Sequence, residues 1–172
     1  MQEKPLISLV VAMDEGGLIG RNGQLPWRLP DDLKHFKAVT LGKTVLMGRK
    51  TWDSLFVKPL PQRDNWVLTR DQGFRADGAR VFHEVQSALA AHASGELMLI
   101  GGAELYRQCL HLVQRIYLTR VHARVEGDTY FPALGDGWRE TAREDRQADA
   151  RHAHAYSFIT LERSERVFGG SI

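Results

Sequence analysis

Leu6-Ile7-Ser8-Leu9-Val10-Val11-Ala12-Met13 is apolar at every position except Ser8 and ends in Asp14-Glu15. A half-buried strand alternates apolar with polar residues, whereas a strand covered on both faces does not. The stretch therefore reads as a central strand of a sheet with helices on both sides. It is far shorter than the ~20 apolar residues of a membrane helix. Glu3 before it, the acids after it and the lack of a small-x-small site argue against a secretory signal.

Outward from this strand, residues 14–30 carry Gly16, Gly17, Gly20, Gly23, Pro26 and Pro30, and read as a long, functional loop. Pro30-Asp31-Asp32 opens a helix to about Leu41, with proline early and acids beside the positive end of the dipole. Residues 44–47 read as a second buried strand, and Gly48-Arg49 opens a short helix. Strands are predicted at 65–69, 80–83 and 97–100, and helices at 84–93 and 103–112. Residues 115–123 and 154–162 read as the last strands. Strands alternating with helices up to residue 112 imply parallel, right-handed crossovers. The last two strands have no helix between them, which predicts an antiparallel hairpin at one edge. The expected fold is α/β: a three-layer α/β/α sandwich over a mixed, mostly parallel sheet of about eight strands, with about four helices. In such sheets ligands sit at the carboxyl ends of the strands.

The 172 residues suit a single domain over 1–172, with 165–172 as a C-terminal tail. With 43% hydrophobic and 26% charged residues, a disordered chain is excluded. A net charge of +2 supports neither nucleic-acid nor membrane-surface binding. The lone Cys109 cannot form an internal disulfide and sits among apolar residues, as a core position in a reducing compartment would. A cytoplasmic monomer is the expectation.

Asp32, Phe36 and Val39 share one helix face, so a carboxylate stands on a face that otherwise looks inward. The plain reading is a solvated first-turn acid, but Asp31 can already serve the dipole. An acid in an apolar cleft would bind a cationic or amidine-like ligand, or handle a proton. Gly48-Arg49-Lys50-Thr51 and Gly101-Gly102-Ala103 each leave a strand and enter a helix, where amides bind anions and glycines admit close approach. Either alone is an ordinary turn. Together with Thr69-Arg70 they suggest a ligand with several phosphates. His152 and His154 stand two apart but lack partners at metal-site spacing; they read as surface histidines, and no metal is expected. Trp27 and Trp52 read equally as core or ligand-facing.

Four stretches carry a family resemblance: Pro26-Trp27 with Pro30, Asp32 and Phe36; Met47-Gly48-Arg49-Lys50-Thr51-Trp52; Ile100-Gly101-Gly102 with Tyr106; and Glu126-Gly127-Asp128-Thr129 with Phe131-Pro132. From about Leu6 to Arg163 the chain resembles bacterial dihydrofolate reductases. The resemblance implies NADPH-dependent reduction of dihydrofolate to tetrahydrofolate, which feeds one-carbon metabolism. Asp32 would then orient and polarise the pterin, with water as the proton donor to the imine. It further implies that Thr119 supports Asp32, that Trp27 holds an ordered water, and that Leu25 gates the protonating water. Val10, Ala12, Leu33, Phe36, Leu55 and Leu60 would line the apolar walls. Ile100 and Tyr106 would lie near the nicotinamide. Arg63 would fork the substrate's glutamate α-carboxylate. Arg49, Lys50, Thr51, Thr69 and Arg70 would surround the adenosine 2′-phosphate and pyrophosphate. Ala12, Ile19, Gly20, Gly48, Gly101, Gly102 and Ala103 would complete the cofactor site. The glycine-rich loop would be a lid braced by Asp128, and trimethoprim- or methotrexate-like antifolates would bind in place of substrate.

Phe56-Val57 departs from the family's shorter glycine-containing turn, and Ala103-Glu104 from its third glycine and a following basic residue. Two other readings remain open here. A reductase of the same fold acting on a riboflavin precursor would not need Trp27, Asp32 and Arg63 together. A non-catalytic NADP- or folate-binding module would be expected to lose Asp32 or Tyr106. An isoelectric point of 8.8 is the only feature favouring nucleic acid.

Overall fold

The computed structural model describes residues 6–164, so the expected tail at 165–172 lies outside the described residues. Along the chain run β1 (Leu6–Asp14), β2 (Leu18–Gly20), α1 (Pro30–Thr40), β3 (Thr44–Gly48), α2 (Arg49–Ser54), β4 (Asp64–Leu68) and β5 (Ala79–Phe82). They are followed by α3 (Val85–Ala91), β6 (Glu96–Leu99), α4 (Ala103–Cys109), a 3-10 turn (Leu110–Leu112), β7 (Arg115–Val121), β8 (Thr129–Tyr130), β9 (Trp138–Arg146) and β10 (Tyr156–Arg163). Eight strands form one sheet in the order β5-β4-β3-β6-β1-β7-β10-β9. The first six of that order pair in parallel, and β10 runs antiparallel to both β7 and β9.

β1 is central, between β6 and β7, and its alternation separates two layers. Leu9, Val11 and Met13 join a core with Ala88 of α3 and Leu105, Tyr106 and Cys109 of α4. Val10 joins Val45, Met47 and Trp52, against which Phe36 and Val39 of α1 pack. Helices therefore cover both faces, and the three-layer expectation holds. Trp27, Leu29, Tyr156 and Phe158 form a smaller core with Ala12 beside it. Burial raises the pKa of the Cys109 thiol to about 11, as fits an inert core cysteine. No described helix is long and apolar enough to cross a membrane.

Three strands depart from the sequence reading. β9 (WRETAREDR) is exposed along most of its length and carries no apolar signal beyond Trp138. It is nevertheless the sheet's edge, where charges block pairing with another chain. The edge hairpin is thus β9–β10, while β7 and β10 pair inside the sheet. β2 and β8 form a small two-stranded sheet within the loops read as irregular; strands of two and three residues leave no periodicity to detect.

Candidate active site

Pro30 at the first position of α1 supplies a helical φ, and the face of Phe36 and Val39 packs inward. The same face carries Asp32. Its Oδ1 accepts a hydrogen bond from Thr119 Oγ1 of β7 at 2.6 Å. Thr119 stands opposite Ala12 of β1 in register, so α1, β1 and β7 converge here. Burial pushes the Asp32 carboxyl above the usual carboxylate range, while the Thr119 hydrogen bond and nearby His35 oppose this. Leu55 and Leu60 pack beside Val10, so these predicted wall residues come together. Leu33 and Leu25 are exposed, on no described core. Trp27 is buried, and its Nε1 has no partner among the described residues.

On the other side of β1, the Gly48 N–H donates to the Gly101 carbonyl at 2.8 Å, closing the ends of β3 and β6 together. The Gly101–Gly102 peptide is cis, and Gly101 has φ +137°. A Cβ at Gly101 would lie 3.1 Å from Thr51 Oγ1 and 3.7 Å from the Tyr106 hydroxyl. The space is a cradle that only backbone leaves open. The Tyr106 hydroxyl donates to the Val10 carbonyl at 2.6 Å, and burial pushes its pKa upward, so it remains a donor. Arg49 stacks on Phe74 at 4.0 Å and pairs with Asp53 and Asp71. Lys50 and Arg70 are exposed at the rim, and Thr69 and Ile100 are half-buried. This open glycine edge with cations beyond it fits a bulky polyanion such as a dinucleotide.

Arg63 is held from two sides. Its Nε donates to the Pro61 carbonyl at 2.9 Å, and its Nη1 to Thr40 Oγ1 at the end of α1 at 3.1 Å. Buried Asn65 bonds the Leu60 amide and the Leu60 and Arg63 carbonyls, which pins this loop. Phe56 and Val57 are exposed, and Lys58 Nζ reaches back to the Asp53 carbonyl at 3.2 Å.

The loop over residues 14–28 is tied at its base and near its middle. Asp128 Oδ2 accepts the Asn22 amide at 3.0 Å, and the Asp128 amide donates to the Gly20 carbonyl at 3.2 Å. Hydrogen bonds from the Asn22 amide and Thr129 hold the Asp128 carboxyl below the usual range. Asp14 does the same for the base of this loop. Its carboxylate accepts the amides of Gly16, Leu18 and Val125. Burial alone would raise its pKa, but these amides together lower it. In the sequence Asp14 reads only as the charge that ends β1; Glu15 separates it from Gly16-Gly17, and no local pattern marks it as the loop's anchor.

One reading is corrected. His152 is fully buried rather than a surface residue, because it fills the corner between β9, β10 and α1. Asp31 stands in the first turn of α1, as the sequence implies. Its carboxylate also accepts from Arg151 at 2.9 Å, Tyr156 at 3.3 Å and Arg146 at 3.4 Å. No group of His, Cys, Asp and Glu residues able to hold a metal occurs among the described residues.

The family model described as dihydrofolate reductase matches residues 6–163, nearly all of the chain. The chain belongs to the dihydrofolate reductase family. It is 45% identical over 160 residues to dihydrofolate reductase type 3 of Salmonella typhimurium, covering 92% of this chain and 98% of that relative. It is 36% identical to the dihydrofolate reductase of Bacillus subtilis over 167 residues, or 96% and 99% of the two chains. The fold superposes with a TM-score of 0.87 on Enterococcus faecalis dihydrofolate reductase complexed with NADP(H) and RAB-propyl, at 33% identity, covering 93% of this chain and 97% of that one. The protein is accordingly an NADP-dependent oxidoreductase. The glycine edge fits the family's cofactor, NADPH.

Proposed function

We propose that the enzyme reduces dihydrofolate to tetrahydrofolate with Asp32 orienting and polarising the pterin and a water protonating its imine nitrogen. The observation that carries this is the single carboxylate set by Thr119 at the end of an apolar wall. Bound NADPH supplies the hydride. Asp32 accepts hydrogen bonds from the pterin's amino group and ring N–H, which fixes the ring and favours the protonated imine. Thr119 holds the carboxylate in that orientation. Trp27 Nε1, a buried donor, holds a water at the pterin edge, and Leu25 admits the protonating water. Val10, Ala12, Leu33, Phe36, Leu55 and Leu60 exclude bulk water from the ring. Gly48, Gly101, Gly102 and Ala103 let the cofactor approach the backbone, beside Ala12, Ile19, Gly20, Ile100 and Tyr106. Arg49, Lys50, Thr51, Thr69 and Arg70 take its phosphates. An amidine-bearing antifolate of the trimethoprim or methotrexate kind would pair with the same carboxylate.

The test is NADPH oxidation on adding dihydrofolate. Rapid, dihydrofolate-dependent turnover is expected. A folded protein that binds NADPH and shows none would overturn the substrate assignment.

Arg63 presents a planar fork already anchored at Thr40, a geometry no ammonium reproduces. Arg63→Lys is expected to raise KM for dihydrofolate about tenfold, or ~1.4 kcal/mol, with kcat nearly unchanged. A folate analogue lacking the glutamate should show no difference between the two enzymes. Asp128→Ala removes the acceptor of the Asn22 amide. It is expected to slow hydride transfer and alter product release by a few-fold or more, as loss of a closed lid does. Unchanged single-turnover and release rates would refute the bracing role.

A further inference from the structure

The first turn of α1 has an unusual deficit. Leu29 at its N-cap has no side-chain acceptor, and Pro30 has no N–H. The Asp32 and Leu33 amides both reach the Leu29 carbonyl, at 2.9 and 3.3 Å. The Asp31 amide is the orphan donor of that turn. It donates to His152 Nε2 at 3.1 Å, from a residue 121 positions away. His152 is fully buried. Its Nδ1 lies 2.8 Å from Asp149 Oδ1, which also accepts the Arg151 and His152 amides. An amide N–H can be accepted only by an unprotonated Nε2, so Nδ1 carries the proton and donates to Asp149. The Asp31 carboxylate is clasped by Arg151, Arg146 and Tyr156 from the same hairpin. Both the backbone and the side chain of Asp31 are therefore tied to the β9–β10 connection, one residue before Asp32.

We infer that His152 is a positioning residue for the reduction. It caps the helix that carries Asp32 from outside that helix, and so sets where the Asp32 backbone stands while Thr119 sets its carboxylate. Asp149 selects the tautomer that makes the cap. This rests on the role given to Asp32 above.

His152→Phe keeps a ring beside Tyr156 and removes the acceptor; His152→Gln restores an acceptor oxygen at similar reach. Asp149→Ala changes an exposed residue and releases the tautomer without opening the core. Each is compared with wild type by single-turnover hydride transfer at saturating dihydrofolate, by NADPH affinity and by thermal unfolding. The expected result is a fall of about tenfold in hydride transfer for His152→Phe with unchanged NADPH affinity. His152→Gln should recover most of that loss, and Asp149→Ala should show a smaller fall. A wild-type rate per folded molecule in His152→Phe, with only the melting temperature lowered, would overturn the inference. So would a glutamine that restores nothing. If His152→Phe does not fold, an unchanged rate in Asp149→Ala overturns it equally. Asp32→Asn measured alongside separates the two levels: full activity there removes the role of Asp32 itself, whatever the His152 variants do.

Discussion

Asp32→Asn is expected to lower hydride transfer by about a hundredfold or more while leaving NADPH binding intact. Asparagine keeps the shape and still offers Oδ1 to the Thr119 hydroxyl, so the 2.6 Å hydrogen bond survives in kind. What disappears is the charge that favours a protonated imine. The same substitution is expected to stabilise the fold at neutral pH. Burial raises the Asp32 pKa in the folded protein above its unfolded value. The folded state then holds more protons than the unfolded state in the window between the two values, and stability falls as pH rises through it. Asparagine has no such loss. The stability difference between variant and wild type should thus grow with pH from the ordinary aspartate range through the raised value, and stay level above it. Denaturant unfolding across that range, beside stopped-flow kinetics, checks both halves. A variant that is both slow and less stable at neutral pH would mean that Asp32 holds the fold rather than the substrate.

Gly101→Ala is the second large effect. A φ of +137° is open to glycine and strained for any other residue, and the new Cβ would press on Thr51 Oγ1 at 3.1 Å. Strain of this kind costs ~1–3 kcal/mol. It would be relieved by turning the peptide whose carbonyl accepts the Gly48 amide, and that turn fills the cofactor cradle. NADPH affinity should fall by roughly tenfold or more. Gly95→Ala is the control: its φ is +79°, with nothing within 4 Å of the new Cβ. It should cost stability and leave NADPH binding alone. Equal loss of affinity in both would show a global effect rather than a local one.

What could be read from the sequence follows from what burial writes into it. β1 and β3 are covered on both faces, so their apolar runs were plain. Asp32, Phe36 and Val39 stood out because a charge broke an inward face. Hidden features were those that only a partner outside their own segment reveals. β9 has the composition of a solvated loop, and only its pairing with β10 makes it a strand. His152 looks like any surface histidine until the Asp31 amide is seen to need it. The tie between Asp14 and the Val125 amide spans 111 positions and leaves no local pattern. The buried strands and the inward face of α1 were legible; the supports of Asp14 and Asp31 were not.

The central place of β1 also bears on how the chain is made. Its partners begin at Glu96 and Arg115, so this apolar segment is made before them and finds no neighbour until about 90 residues later. At roughly 5–20 residues per second that is a wait of about 5–20 s, with an uncharged, β-prone segment unpaired. The nascent chain in that interval exposes an aggregation-prone segment. Its exposure ends when the second half of the sheet arrives.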